Sequence, residues 1–372
     1  MRRLHTLSGL AAAALLACSS SWAQAPAQKP QYGGALSVAN VYYTISPLTF
    51  DTADMAWKIN QDTGLVYEQL MVADLSKAKR NGGKHPFVSD SFIPPDGLKG
   101  ELAEKWELKQ NPWRLEVQLR KGIMWPAKEG VMAARELVAD DVVYSFDRVN
   151  KSPKKIPTYW DHVSRIEVTG KHSFTMHFST YNAEWDYRWG WGYYSAIVPK
   201  EVMESGAKDW KKVNGTGPYA LTNYVQGNAM TFTKNPSYWG SETIGGESYK
   251  LPFTDTITYR YIKDESTALT ALRTGKLDIM EAVRWSAVDE LKKSAPKLQW
   301  NKIISNNGSY ITLRVDTKPF DDVRVRRALN MAINKQEIIK AYYGGNAEML
   351  GFPMHSSWTG YYEPLADMPE SV

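Results

Sequence analysis

Residues 310–343 read YITLRVDTKPFDDVRVRRALNMAINKQEIIKAYY and carry three periodic signals in one stretch. Tyr310, Thr312, Arg314 and Asp316 alternate with Ile311, Leu313 and Val315, the period of a strand with one buried face. Pro319 closes that strand. After Asp322, whose carboxylate suits the free N–H groups at a helix start, Val325, Ala328, Leu329, Ala332 and Ile333 recur at i, i+3, i+4, i+7 and i+8. They make one apolar face, and Arg324, Arg326 and Arg327 lie largely off it. Asn334 is a second candidate N-cap, and Gly344 and Gly345 supply the left-handed stop of a second helix. The pattern predicts strand, helix, helix: an α/β module.

Within it, KPFDDVRVRRALNMAIN (318–334) resembles the signature segment of the family 5 extracellular solute-binding proteins, the peptide- and nickel-binding receptors of bacterial ABC importers. Working outward, Leu102-Ala103-Glu104-Lys105-Trp106-Glu107 is similar to that family's hairpin entry. Ala139-Asp140-Asp141-Val142-Val143-Tyr144-Ser145 is similar to one of its helix starts. Ile197-Val198-Pro199-Lys200-Glu201, Gly215-Thr216-Gly217-Pro218-Tyr219 and Asn235-Pro236-Ser237-Tyr238-Trp239 follow in the family's order, and Ser266 to Ile279 resembles its strand-helix-strand segment.

At the N-terminus, Arg2 and Arg3 precede an Ala/Leu/Gly-rich run from Leu7 to Leu16, the charged and apolar regions of a secretory signal peptide. Ser21-Trp22-Ala23 has the small-x-small form of a cleavage site, so residues 1–23 are expected to be a leader. Leu15-Leu16-Ala17-Cys18 offers the alternative of a lipid anchor on Cys18. Either reading exports the protein to the periplasm. Cys18 is the chain's single cysteine, so no disulfide or thiolate metal site is expected to hold the mature fold.

Lys and Arg total 45 against 40 Asp and Glu, an excess too small for a nucleic-acid footprint. Aromatic content is what departs from average: 14 Trp and 21 Tyr. Each such ring buries about 150–250 Å², so they supply either a large core or a ligand-stacking cleft.

Individual segments sharpen this. Tyr32 to Val38 reads as a first strand opened by Gly33-Gly34, and the loop after it makes Tyr42, Tyr43 and Thr44 candidate cleft residues, because ligands collect beyond the carboxyl ends of strands. Asn60 to Leu70 reads as a helix and Asp74 to Gly100 as a long surface loop. Leu115, Val117 and Leu119 alternate with Arg114, Glu116 and Gln118 in a half-buried strand. In the helix starting near Ala139, Asp140 or Asp141 is the expected N-cap, with Val142, Val143, Phe146 and Val149 inward and no acid/base role for either Asp. Ile166 and Val168, then Phe174, Met176 and Phe178, predict a hairpin. The aromatic run Glu184 to Tyr194 fits neither period, and Trp185, Trp189 and Trp191 are read either as ligand contacts or as interlobe packing. Gly215-x-Gly217 precedes a strand, not a helix, and so is a turn, not a phosphate loop. Ile257, Tyr259 and Tyr261, the helix Thr267 to Thr274 and Leu277 to Met280 predict a βαβ unit.

No HExxH, G-x-S-x-G or Walker A motif occurs, so no metal, catalytic serine, nucleotide or cofactor is expected. Two function classes stay open: a binding receptor, and a secreted glycoside hydrolase using Trp platforms and a carboxylate pair.

The resemblance implies a periplasmic-binding-protein-like α/β fold of class II type, with two lobes and an extra domain. Its domain I would comprise 33–57 and 186–282, its domain II 58–185, and a third domain would begin at 283 and run incomplete to 372. It implies a monomeric receptor, not an enzyme, that takes a peptide or small solute and docks on an inner-membrane permease and ATPase. Relatives commonly carry Asn where this chain has Arg314, whose planar fork suits a carboxylate, so Arg314 is a candidate ligand contact, with a local salt bridge as the alternative.

Overall fold

The computed structural model describes residues 29–39, 49–54, 62–87, 92–302, 311–349, 356 and 361–369. Its fifteen described strands are β1 (Ala35–Ala39), β2 (Met71–Ala73), β3 (Leu98–Gly100), β4 (Ala103–Lys109), β5 (Arg114–Leu119), β6 (Met124–Trp125), β7 (Arg135–Glu136), β8 (Val163–Gly170), β9 (Ser173–Phe178), β10 (Tyr219–Val225), β11 (Ala229–Lys234), β12 (Ser241–Ile244), β13 (Glu247–Lys250), β14 (Thr256–Arg260) and β15 (Ile279–Met280). The described α-helices are α1 (Ala139–Asn150), α2 (Lys200–Gly206), α3 (Glu265–Arg273), α4 (Trp285–Ser294), α5 (Val323–Ala332) and α6 (Lys335–Ala341).

In β5 the alternation read from the sequence becomes burial: Leu115, Val117 and Leu119 are inside, and Arg114, Glu116 and Gln118 are half-buried on the other face. β5 lies within an antiparallel sheet ordered β4-β5-β9-β8, where β8 and β9 form the expected hairpin. Phe174, Met176 and Phe178 of β9 add to the same buried face. Helix α1 covers it with Val142, Phe146 and Val149; Val143 is only half-buried and Ser145 takes the inward place, bonded to Val198 of the neighbouring segment. The cap also differs from expectation. Val138 is the N-cap, and Asp141 at the third helical position accepts the Val138 N–H at 3.0 Å.

A second sheet runs β10-β11-β14-β1-β15, with β1 parallel to both β14 and β15. Helix α3 crosses between β14 and β15, giving the expected βαβ unit, and Asp278 accepts the Ser37 N–H at 2.7 Å, a structural bond. The two sheets have separate cores. One gathers Leu115, Phe174, Trp125, Phe146 and Trp189; the other gathers Phe50, Tyr67, Val198, Tyr219, Phe232 and Tyr261.

Three expectations fail. Residues 62–70 hold one 3-10 turn, Thr63–Leu65, where a longer helix was read. The Thr63 carbonyl keeps one i to i+4 bond, from Tyr67, but Val66, Glu68, Gln69 and Leu70 offer theirs to the N–H groups of Gly217, Ile197, Leu102 and Ala103, so the helix does not continue past Tyr67. The stretch after Asp74 is not all loop, because β3 pairs antiparallel with β2. Finally, residues 311–316 form no strand, since no described strand pairs with them, and Ile311 (74% exposed) and Val315 (59%) face outward. Helices α5 and α6 form as read. Asp322 accepts the Arg324 N–H, Asn334 accepts that of Glu337, and Gly344 and Gly345 take positive φ; yet no residue of either helix is buried. Among the described residues, no helix is long and apolar enough to cross a membrane.

Candidate functional site

Because β14, β1 and β15 point the same way, Arg260, Ala39 and Met280 finish at one edge of the second sheet. Beyond the carboxyl ends of such strands an open α/β sheet presents backbone that no further strand uses, which makes this edge the candidate ligand face. The chain leaves it along three paths: 40–48 after β1, Tyr261–Asp264 after β14, and Glu281–Arg284 after β15. Tyr42, Tyr43 and Thr44 belong to the first path and lie outside the described residues.

On the second path Tyr261 is buried, and its hydroxyl donates to Asp62 Oδ2 at 3.4 Å; Asp62 is itself only 2% exposed. Burial, and then the negative charge of Asp62, raises the Tyr261 phenol above its ordinary value; burial also raises Tyr259, helped by Asp62 and Glu281. These phenols stay protonated at physiological pH and act as O–H donors facing carboxylates. On the third path Ala282 holds φ +59°, a left-handed conformation unfavourable for a residue with a Cβ by about 1–2 kcal/mol. That turn delivers Arg284, ion-paired with Glu265, and Trp285, which is 42% exposed at the start of α4.

The aromatic run is a single π-helical turn, Tyr187–Trp191. Gly192 closes it by donating to the Tyr187 carbonyl at 2.7 Å, and a Cβ on Gly192 would stand 2.3 Å from that oxygen, so the close approach requires glycine. The turn splits the three tryptophans. Trp189 points into the core of the four-stranded sheet at 1% exposure, edge-on to Phe146 at 4.9 Å, with its Nε1–H donating to His162 Nε2 at 3.0 Å. Trp189 is thus enclosed within that core. Trp185 and Trp191 are half-buried against the same core. Trp191 Nε1 lies 3.4 Å from Asp186, whose carboxyl burial raises above the usual range, and Tyr187 meets the Trp191 ring edge-on at 4.8 Å.

Arg314 is 78% exposed and forks onto Asp316, Nη2 to Oδ2 at 2.6 Å and Nε to Oδ1 at 3.1 Å. In this structure the Arg314 fork is filled by a carboxylate of its own segment. Asp141, excluded from chemistry by sequence, is held by Arg135, whose guanidinium also grips Glu201 of α2, with all four contacts between 2.6 and 2.9 Å. Among the described residues, no group of three or more His, Cys, Asp or Glu is placed to hold a metal ion.

Several polar residues escaped the sequence reading: buried Asp62, Tyr261 and Glu68, and half-buried Glu101, whose carboxylate accepts the Gln69 N–H. The only signal was a lone acid in an otherwise apolar run, as in Val66-Tyr67-Glu68-Gln69-Leu70-Met71. A charge there is either exposed by a bend or buried with donors, and sequence does not separate the two.

Residues 97–370 match the family model described as bacterial extracellular solute-binding proteins, family 5 Middle. Di/tripeptide-binding protein 1 of Pseudomonas aeruginosa (strain UCBPP-PA14) is 28% identical over 286 residues, covering 72% of this chain and 52% of its own length. The dipeptide-binding protein of Escherichia coli (strain K12) is 27% identical over 289 residues, covering 72% and 51%. This chain thus spans about half the length of the curated relatives it matches. Among solved structures, the periplasmic binding protein DppA from Helicobacter pylori, in complex with the peptide STSA, superposes with a TM-score of 0.67 at 22% identity, over 90% of this chain and 64% of that one. That likeness is one of fold.

Proposed function

The chain belongs to the bacterial extracellular solute-binding proteins of family 5, and from that membership we propose that it is an exported receptor of an ABC importer, holding a peptide or similar small solute between closing lobes. The observation that carries the reading is the shared carboxyl edge of β14, β1 and β15, beyond which Tyr261, bonded to buried Asp62, follows β14 and Trp285 follows β15. Peptides come first because the curated relatives reported above are named for di- and tripeptides. The names of those relatives give the glycoside hydrolase reading no support.

In this reading 33–57 and 186–282 form one lobe, 58–185 a second, and 283 onward begins a third. The protein works in the periplasm after loss of residues 1–23, as a monomer that presents its ligand-closed form to a permease and ATPase. Ligand drives closure by binding that form better. A micromolar ligand supplies about 8 kcal/mol. Moving the lobes from mostly open to mostly closed takes about 5.5 kcal/mol of differential affinity, so only a ligand touching both sides of the cleft suffices. Trp185 and Trp191 are the aromatic contacts we assign, with Arg314 turning from Asp316 to an acidic ligand group.

The test is a thermal-shift screen of di- and tripeptides and glycans, with mass spectrometry of each ligand afterwards. A peptide that raises the melting temperature and is recovered intact supports the receptor; hydrolysed glycan or peptide overturns it. Arg314→Asn should weaken acidic peptides selectively, and equal affinity would leave Arg314 with Asp316 alone.

A further inference from the structure

The π-helical turn Tyr187–Trp191 gathers three aromatic rings and one carboxylate at the margin of the four-stranded sheet's core. Tyr187 and Trp191 are four residues apart, which sets them on one side of the turn, and their rings meet edge-on with centroids 4.8 Å apart at 81°. Tyr193 stands nearly perpendicular to Tyr187, 6.5 Å away at 86°. Asp186, the residue before the turn, places Oδ2 3.4 Å from Trp191 Nε1. All four residues are half-buried, so each keeps part of its surface open to solvent. The turn is anchored to the segment that enters β2. Gln69 Nε2 donates to the Gly192 carbonyl at 2.6 Å, and Gly190 lies so near Met71 that a Cβ would stand 2.8 Å from its Sδ. The rings are thus set in place before any ligand arrives, which cuts the cost of binding one.

Asp186 has a neutral side-chain donor, the Trp191 indole N–H. The neighbouring cation, Arg188, is committed elsewhere: Nη2 bonds Glu184 at 2.7 Å, Nη1 donates to the Tyr159 carbonyl, and the guanidinium lies over the Tyr159 ring at 4.5 Å. Burial, and more weakly the Glu184 charge, raises the Asp186 carboxyl, so a cation brought beside it is favoured. One carboxylate offers too few oxygens to hold a divalent metal ion. Perpendicular rings beside it favour a different cation, one with an apolar skirt, because ring faces attract positive charge and cover alkyl carbon at once. We propose that Asp186, Tyr187, Trp191 and Tyr193 form a box for an alkylammonium group, primary as in a lysine side chain or quaternary as in choline. The box deepens the receptor reading and rests on it for the solute that carries the group.

The probes are choline and n-butylammonium, each paired with an uncharged counterpart of similar shape, dimethylbutanol and n-butanol. They are titrated into the full chain at constant ionic strength and followed by the Nε1–H resonance of Trp191, identified by its loss in Trp191→Phe. Ligands of so few atoms are expected to bind with Kd roughly 1 mM. Saturable displacement of that resonance by either ion, and not by its uncharged counterpart, supports the box, and comparing the two ions separates a primary from a quaternary source. Asp186→Asn keeps the shape and removes the charge, and should weaken the ion about tenfold or more. A Trp191 resonance that neither ion moves, an equal response to the uncharged counterparts, or unchanged affinity in Asp186→Asn overturns the proposal. Nuclear Overhauser contacts from the bound ion's alkyl protons to an indole and a phenol ring of the wild-type chain give a reading that needs no variant, and their absence refutes the box. No peptide enters these titrations, so the box can fail while the receptor reading stands, and the receptor reading can fail in the peptide screen while the box stands.

Discussion

Replacing Trp189 separates packing from ligand contact in the aromatic run. Its ring is 1% exposed, edge-on to Phe146 at 4.9 Å and 5.7 Å from Trp160, and its Nε1–H donates to His162 Nε2. Truncating such a residue to Ala costs about 3–5 kcal/mol through lost burial and the cavity left behind. Stranding the buried His162 nitrogen adds about 1–3 kcal/mol. Against a total stability of about 5–15 kcal/mol, Trp189→Ala is expected to unfold much of the population. Trp189→Phe is the informative variant: it keeps most of the ring but removes the N–H, and should cost about 2–3 kcal/mol. Urea unfolding by tryptophan-independent far-UV circular dichroism gives the midpoint, with the slope unchanged if only stability moved. The same preparation, titrated with a peptide ligand, should bind as the wild type does. A Trp189→Phe chain with a wild-type midpoint but affinity reduced about tenfold or more would refute the core placement.

Three further outcomes are expected. Gly215→Ala should destabilise by several kcal/mol, because a Cβ there would stand 2.0 Å from the Val66 carbonyl oxygen; differential scanning calorimetry reads the drop. Arg148→Met should lower the unfolding free energy by about 2–3 kcal/mol in urea titrations, since it strands buried Asp51 from two 2.6 Å bonds; little change with added salt would set this pair apart from a surface one. His162 accepts from Trp189 as neutral imidazole, and burial, with Arg188 nearby, lowers its pKa below the ordinary 6.5. Its contribution to stability is therefore complete above about pH 6.5 and declines as the medium is acidified toward the lowered value. His162→Phe should shed that acid-side loss in a pH series of melting temperatures.

How much of this was legible beforehand depends on where each signal came from. Local grammar was readable: the alternation in β5, the Asp322 and Asn334 caps, the left-handed Gly344 and Gly345, and the turn at Gly215–Gly217 all depend on nearest neighbours. Burial was less so. The alternating 310–316 pattern promised a strand, but a strand exists only with a partner, and no described strand supplies one. From Val66 on, the helix read over 60–70 lost carbonyls to Gly217, Ile197 and Leu102, residues 33 to 151 positions away that no local window contains. In the aromatic run, Gly190 and Gly192 broke both periods, and the π turn they permit is what sent Trp189 inward and left Trp185 and Trp191 half-covered. Buried Glu68 was the least legible, because its donor, Trp239, lies 171 residues away. Arg314 was noticed for its chemistry, and its bond to Asp316 was the reading the sequence had set beside ligand contact.

The central claim is that this chain holds a small solute and returns it unaltered. It is tested most directly by equilibrium binding of a labelled dipeptide mixture to the purified chain, followed by unfolding and mass identification of what was held. The account predicts saturable binding of one intact ligand per chain. Retention of nothing, or recovery of cleaved product, would contradict it.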